Sequence, residues 1–167
     1  MQTPMYSRRT RRIRIEDAPS AMREAYQEHV SSNQWDDSSS EPPAWLTHSV
    51  NLPSSTFIGR VFGRRANWVD PDLEHDLLLV LGSSHLVIVT HGLKRGTAVL
   101  SIALAHASLG KRLTVLASRD DHTERGVTIS GFPGEDGRPG TFFVALGPDA
   151  AGQECEDAVR GALARSS

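Results

Sequence analysis

The 167-residue chain has a single cysteine, only two lysines and no apolar run of the ~18 residues that would span a bilayer. One cysteine, Cys155, excludes an intramolecular disulfide framework and is typical of a protein in a reducing compartment. The arginines near the N-terminus are not followed by an apolar segment, so we expect no secretory signal there. These absences favour a cytoplasmic location.

The charge is nearly balanced, with a formal net charge of -2, which argues against a protein built wholly around nucleic acid. Residues 1–43 predict a basic tail, a short amphipathic helix over residues 18–30 and a flexible linker. A disordered charged tail is one interpretation of the basic run, and contact with anionic lipid or nucleic acid is the other. Its candidate contact residues are Arg8, Arg9, Arg11, Arg12 and Arg14.

Residues 44–167 contain short apolar runs separated by turn residues, a pattern that predicts a mainly β domain. Residues 99–108 fit a helix as well as a strand, because their alanines favour a helix while the neighbouring short runs favour a strand. We prefer the strand. The seven candidate strands cover residues 56–62, 76–81, 85–90, 97–104, 112–117, 127–132 and 141–146.

The clearest pattern in the chain is that of a C-terminal amphipathic helix. Asp149 is predicted to be its N-cap. Its apolar stripe suits a helix that lies across an open barrel end, and Cys155 on that stripe predicts a buried structural thiol rather than a nucleophile. The stripe consists of Cys155, Ala158, Val159, Ala162 and Leu163.

This order of strands, closed by one helix, resembles a bacterial pleckstrin-homology-like (PH-like) domain. The resemblance rests on LLLVLGSSHLVIVTHG, GTAVLSIALAHASL and GTFFVALGPDAAGQECEDAVRGAL, which are residues 77–92, 96–109 and 140–163. It implies a mainly β (α+β) fold in which a seven-stranded bent barrel is capped by the C-terminal helix, with an N-terminal helical extension. It also implies a non-enzymatic binding or scaffold module.

Residues 85–118 are also similar to the strand–loop–helix–strand unit of a P-loop ATPase. The loop at residues 92–97 departs from the phosphate-binding pattern, because its glycine spacing is wrong and no lysine precedes Thr97. This nucleotide-binding α/β alternative requires residues 99–107 to be helical.

The candidate partner or anion contacts lie mostly in polar turns and near strand ends. Residues 60–68 mix arginine with aromatic side chains, as interfaces and nucleic-acid surfaces do. The Gly/Pro-rich loop at residues 131–140 is interpreted as a turn, with an arginine at its tip as a possible contact. The candidates are Arg60, Arg64, Arg65, Trp68, Lys94, Arg95 and Arg138.

No catalytic residue, metal site or cofactor is expected, because the histidines lack the spacing of a helical metal pair and the paired carboxylates lie in polar turns. The sequence therefore favours recognition of a protein partner through the barrel and the tethered helix. Attachment to anionic lipid or nucleic acid through the arginine clusters is the alternative. Docking of the N-terminal helix on a second copy would produce a homo-oligomer.

Overall fold

The computed structural model describes residues 4–35, 41–54, 57–110, 124–134 and 136–166, and these residues form two antiparallel sheets and three α-helices. The first sheet contains β1 (Tyr6–Ile13), β2 (Ala44–Asn51), β3 (Glu74–Leu81), β4 (His85–Gly92) and β5 (Gly96–Ala103) in that order. The second contains β6 (Ser108–Leu109), β7 (Gly126–Pro133) and β8 (Pro139–Ala145). The helices are α1 (Ser20–Ser32), α2 (Phe57–Val61) and α3 (Ala150–Ser166). The strand predicted at residues 112–117 and residues 36–40 of the predicted linker lie outside the described residues.

The five-stranded sheet is covered on both faces. Side chains alternate along a strand, so one set from β2 to β5 faces the second sheet and α3, and the other set faces α1. Trp45 and Ile88 belong to the first set, whereas Leu78 and Val89 belong to the second and pack with Met22 of α1. Burial of both faces explains why β3 and β4 are almost continuously apolar in sequence.

The prediction of a mainly β fold with a C-terminal helix is confirmed, but the described strands do not close into one barrel. They form a five-stranded and a three-stranded sheet, and α3 packs into the core that the two sheets share. Its buried stripe contains Cys155, Val159, Ala162 and Leu163, as the sequence predicted. These side chains pack in the core between the two sheets.

The N-terminal basic run forms a strand rather than the mobile tail expected from the sequence. β1 pairs with β2 over its full length, from Tyr6 opposite Asn51 to Ile13 opposite Ala44. Helix α1 then packs against β4 and β5, so it is not held away from the sheet by a tether. This strand could not be predicted from the sequence because its side chains do not alternate between apolar and polar.

The ambiguous segment after the β4–β5 turn is a strand as far as Ala103, followed by a short 3-10 helix over Leu104–His106. The helix that a P-loop-like unit requires at residues 99–107 is therefore not formed. The hairpins β3–β4 and β7–β8 are formed by strands that cover the candidate strands at residues 76–81, 85–90, 127–132 and, but for its last residue, 141–146.

Candidate binding surface

A long segment between β2 and β3 carries a group of exposed apolar side chains, and we call its residues 57–69 the docking loop. Its first part is α2, so the strand predicted at residues 56–62 is wrong. A short apolar run does not by itself distinguish a strand from a helix. Phe57 is 82% exposed and Trp68 is 76% exposed. The other exposed apolar side chains of the docking loop are Ile58, Val61, Phe62 and Val69.

The docking loop is also positively charged. It contains three arginines and no carboxylate. Arg60 and Arg64 are exposed and Arg65 is partly buried, and none of the three forms an ion pair within the described part of the chain. Four predicted contact residues, these arginines and Trp68, therefore lie on one loop. That loop combines exposed apolar groups with positive charge that no described carboxylate neutralises.

The base of the docking loop is fixed by a network of buried and half-buried polar side chains, which we call the anchor cluster. Asn51 donates from its side chain to the Asn67 carbonyl at 2.7 Å and accepts the Asn67 amide at 3.1 Å. The Asn67 side chain donates to the Tyr6 hydroxyl at 3.0 Å, and that hydroxyl donates to Asp70 Oδ2 at 2.6 Å. The anchor cluster consists of Tyr6, Asn51, Asn67, Asp70, Asp72 and Arg95.

The anchor cluster also contacts the β4–β5 turn. Asp72 accepts the Lys94 amide at Oδ1 over 2.7 Å and the Arg95 Nε–H at Oδ2 over 2.9 Å. Arg95 also pairs with Asp70. Gly92 leaves room for this contact, since a Cβ there would collide with Asp72 and with the Arg95 side chain. Arg95, predicted as a partner contact, is thus engaged inside the protein, while Lys94 lies exposed at the turn.

The hydrogen bonds of the anchor cluster change the acidity of its members. Burial, together with the hydrogen bond to Asp70, raises the pKa of Tyr6 to about 12. Burial alone would raise the pKa of Asp70, but hydrogen bonds from Tyr6, the Asp72 amide and Arg95 outweigh it and lower that pKa. The pKa of Asp72 is lowered in the same way, by the Lys94 amide and by Arg95. Both carboxyl groups are therefore held as carboxylates.

The basic run of β1 is largely committed to contacts within the protein. Arg8 pairs with Glu124 at 3.1 Å and covers the Tyr6 ring, and Arg12 pairs with Glu154 of α3 and covers the Trp45 ring. Arg14 pairs with Glu16 and Asp17. The exposed exceptions are Arg9 and Arg11, which form no ion pair with a described residue.

The remaining candidate residues lie outside the docking loop. In the described part of the chain they do not combine with it to form a catalytic or metal site. Arg138 is exposed on the β7–β8 hairpin of the other sheet. Cys155 is buried, as expected, and burial, aided by Glu154 and Glu156, raises the pKa of its thiol to about 12. No group of three possible metal ligands occurs in the described ranges.

Sequence reasoning found the arginines and Trp68 of the docking loop but missed the anchor cluster. Asp70-Pro71-Asp72 has the composition of a turn, and Asp70 Oδ1 accepts the Asp72 amide at 3.0 Å. Nothing local indicates that these carboxylates meet Arg95, which is more than twenty residues away in sequence. The exposure of Phe57 and Phe62 was likewise hidden, because their run resembles a buried strand.

A comparison of the chain with protein-family models, with curated proteins and with solved structures found no match. Among the described residues, no helix is both long enough and apolar enough to cross a membrane.

Proposed function

We propose that this chain is a non-enzymatic binding module that attaches to anionic membrane surfaces through the docking loop. One observation carries the proposal: six large apolar side chains are exposed on the same loop as three arginines that no described carboxylate neutralises. Soluble proteins rarely expose contiguous apolar side chains without a binding role. Apolar groups that enter the acyl boundary while basic groups meet the head groups are typical of interfacial attachment.

The magnitudes show that both parts of the surface are needed. A Lys or Arg near an anionic membrane contributes about 1 kcal/mol, so the three arginines supply about 3 kcal/mol. Full burial of a Phe or Leu side chain contributes roughly 1.5–3 kcal/mol, and partial immersion contributes less. Association costs several kcal/mol of lost freedom, estimated at ~4 or more. Charge alone would thus give marginal attachment, and charge with two or three immersed side chains gives stable attachment.

The sequence favours a protein partner, which the tethered helix would help to recognise. The apolar side of α1 offers little support for that proposal, because Met22 and Tyr26 are buried against the protein's own sheet. The exposed arginine and aromatic side chains of the docking loop also suit a protein interface. We favour the membrane because the loop has no carboxylate and because its large apolar side chains are 63–82% exposed.

A relation to PH-like domains remains part of this proposal. The order of the strands, their division between two sheets and the final helix α3 support it. The absence of a closed barrel among the described strands weighs against it. Membrane attachment through a loop between early strands would agree with the lipid-binding members of the family that the chain resembles, although the docking loop has arginines and no lysine.

The first prediction concerns binding to vesicles of phosphatidylcholine with and without phosphatidylglycerol. The double variant Arg60→Gln/Arg64→Gln removes two positive charges from the docking loop. We expect its affinity for anionic vesicles, measured by sedimentation, to fall about 30-fold, since the loss is about 2 kcal/mol. Binding of the unmodified chain should weaken as salt rises, because the Debye length falls to ~3 Å at 1 M.

The matched control is Arg9→Gln/Arg11→Gln, which removes the same charge from exposed arginines of β1. It should bind anionic vesicles almost as tightly as the unmodified chain. Equal losses in both double variants would show that only net charge matters and would overturn the assignment of the docking loop. Failure of the unmodified chain to bind anionic vesicles would reject the membrane and leave a protein partner as the explanation of the exposed surface.

A further inference from the structure

The β4–β5 turn lies at the same end of the five-stranded sheet as the docking loop. Val50 of β2 pairs with Glu74 of β3, and His75 pairs with Gly92 of β4, so the end of β2, the start of β3 and the end of β4 are adjacent. The turn begins directly after Gly92. Two chain segments, separated by more than twenty residues in sequence, therefore project from one edge of the molecule.

The tip of this turn, like the docking loop, combines an exposed apolar side chain with a basic one. Leu93 is 93% exposed, the highest value among the exposed large apolar side chains, and Lys94 follows it. Lys94 forms no side-chain ion pair with a described residue, whereas its amide is bound by Asp72. At a bilayer, the apolar side chain at the tip could enter the acyl region while the basic side chain beside it meets the anionic head groups.

The turn is joined to the base of the docking loop by several hydrogen bonds. Asp72 accepts hydrogen bonds from the Lys94 amide, the Arg95 amide and Arg95 Nε, at 2.7, 3.2 and 2.9 Å. Asp70 forms an ion pair with the same arginine and also accepts a hydrogen bond from the Tyr6 hydroxyl. Hydrogen bonds between charged groups are stronger than neutral ones, and Asp72 is almost completely buried. These bonds therefore join the β4–β5 turn to the two carboxylates that directly follow the docking loop in sequence.

From this geometry we infer that Leu93 and Lys94 form a second membrane contact, which acts together with the docking loop and orients the protein at an anionic bilayer. The inference rests on the proposed function of the docking loop. It adds Leu93 as the side chain that the β4–β5 turn inserts into the bilayer. Attachment at two points that are hydrogen-bonded to each other through Asp70 and Asp72 restricts the direction of the β-strands relative to the bilayer more than attachment through a single loop would.

Insertion can be measured with an environment-sensitive dye on Leu93→Cys. The native Cys155 is buried and its thiol pKa is raised to about 12, so the introduced cysteine will be labelled selectively. The matched control is Ser83→Cys in the exposed β3–β4 turn. Eight-residue β4 separates the two turns, so the control site lies roughly 25 Å from the proposed contact.

With phosphatidylglycerol-containing vesicles, we expect the dye at position 93 to shift to the blue and the dye at position 83 to remain unchanged. In unlabelled protein, Leu93→Ser should weaken vesicle binding about tenfold, while binding through the docking loop persists. A dye at position 93 that stays in water on bound vesicles, or a Leu93→Ser variant of unchanged affinity, would overturn the inference and leave the docking-loop proposal standing. Absence of vesicle binding by the unmodified chain would instead reject both.

Discussion

His75 lies at the edge of the anchor cluster, between charges of both signs. Burial has the largest effect on its pKa, which it lowers below the ordinary value of 6.5. The positive charges of Arg95 and Arg8 lower it further, while Asp70 and Asp72 oppose them. His75 Nδ1 lies 3.5 Å from Asp70 Oδ2, yet it makes no hydrogen bond in the described structure. The folded protein therefore favours the neutral imidazole.

The second prediction follows from this preference for neutral His75. The unfolded chain binds a proton at this position more readily than the folded protein, so the free energy of unfolding should decrease as the pH falls below 6.5. His75→Phe keeps an aromatic ring against Tyr6, which His75 meets edge-on at 5.6 Å, and removes the titration. Urea unfolding measured from pH 7.5 to 5 should show a smaller decrease for the variant.

Asp70 and Asp72 supply an internal reference when the same unfolding series is extended below pH 4. Their lowered pKa values stabilise the folded protein above their ordinary value of 3.8, and this stabilisation is lost as the pH falls further. Both proteins should therefore lose stability again in the acid range. If the variant and the unmodified chain showed the same decrease between pH 7.5 and 5, another group would have to account for it.

At the residue scale, composition identified the exposed arginines and Trp68 of the docking loop better than it identified the polar side chains at the base of that loop. The arginines and Trp68 of the docking loop were found because their mixture is unusual in a short segment. Asp72 and Arg95 were not paired in advance, because an ion pair between distant residues leaves no local pattern. Arg95 was assigned to a partner for the same reason, although the protein's own carboxylates engage it.

At the scale of the elements, Asp149 connects the start of α3 to the edge strand β1. Its Oδ1 accepts the Gly152 amide at 2.8 Å, which is the N-cap interaction predicted from the sequence. Its Oδ2 accepts the Thr10 amide at 2.7 Å, and Thr10 Oγ1 accepts the Gly147 amide at 2.8 Å. One carboxylate therefore satisfies a donor of the helix and a donor of the strand.

The third prediction separates these two roles of Asp149. Asp149→Asn keeps a carbonyl oxygen for one amide but replaces the other acceptor with a donor. Asp149→Ala removes both. We expect Asp149→Ala to lower the free energy of unfolding by about 2–4 kcal/mol, the sum of a lost cap and an unsatisfied amide, and Asp149→Asn to lower it by about half as much. Urea unfolding measures both, and equal losses would show that only one of the two hydrogen bonds contributes.

Elements with strong apolar patterns were predicted from the sequence, and elements without them were not. α3 and the β3–β4 hairpin carry the periods of a helix and of buried strands, so they were found. β1 was missed because Arg8, Thr10 and Arg12 occupy its inward face, where ion pairs and hydrogen bonds replace apolar contacts. α2 was predicted as a strand because its apolar residues face solvent, where packing does not impose a period.

At the scale of the whole molecule, the five-stranded sheet separates two apolar cores. One core contains Trp45, the second sheet and α3. The other contains Met22 and the buried side of α1. Each strand from β2 to β4 contributes side chains to both cores, so loss of packing on one face should loosen the backbone that supports the other. We therefore expect both cores to unfold together, even though the sequence predicts a separable segment at residues 1–43.

The fourth prediction tests this cooperativity with Trp45 as the only tryptophan, after Trp35→Phe and Trp68→Phe. Met22→Ala truncates a fully buried side chain of the α1 core, and Leu163→Ala truncates one on the Trp45 side. Each should lower the free energy of unfolding by about 2–5 kcal/mol. Because the sheet is shared, Met22→Ala should shift the urea midpoint reported by Trp45 as Leu163→Ala does. If Met22→Ala leaves that midpoint unchanged while circular dichroism shows an earlier loss of helix, α1 unfolds independently and the predicted division at residue 43 is the better description.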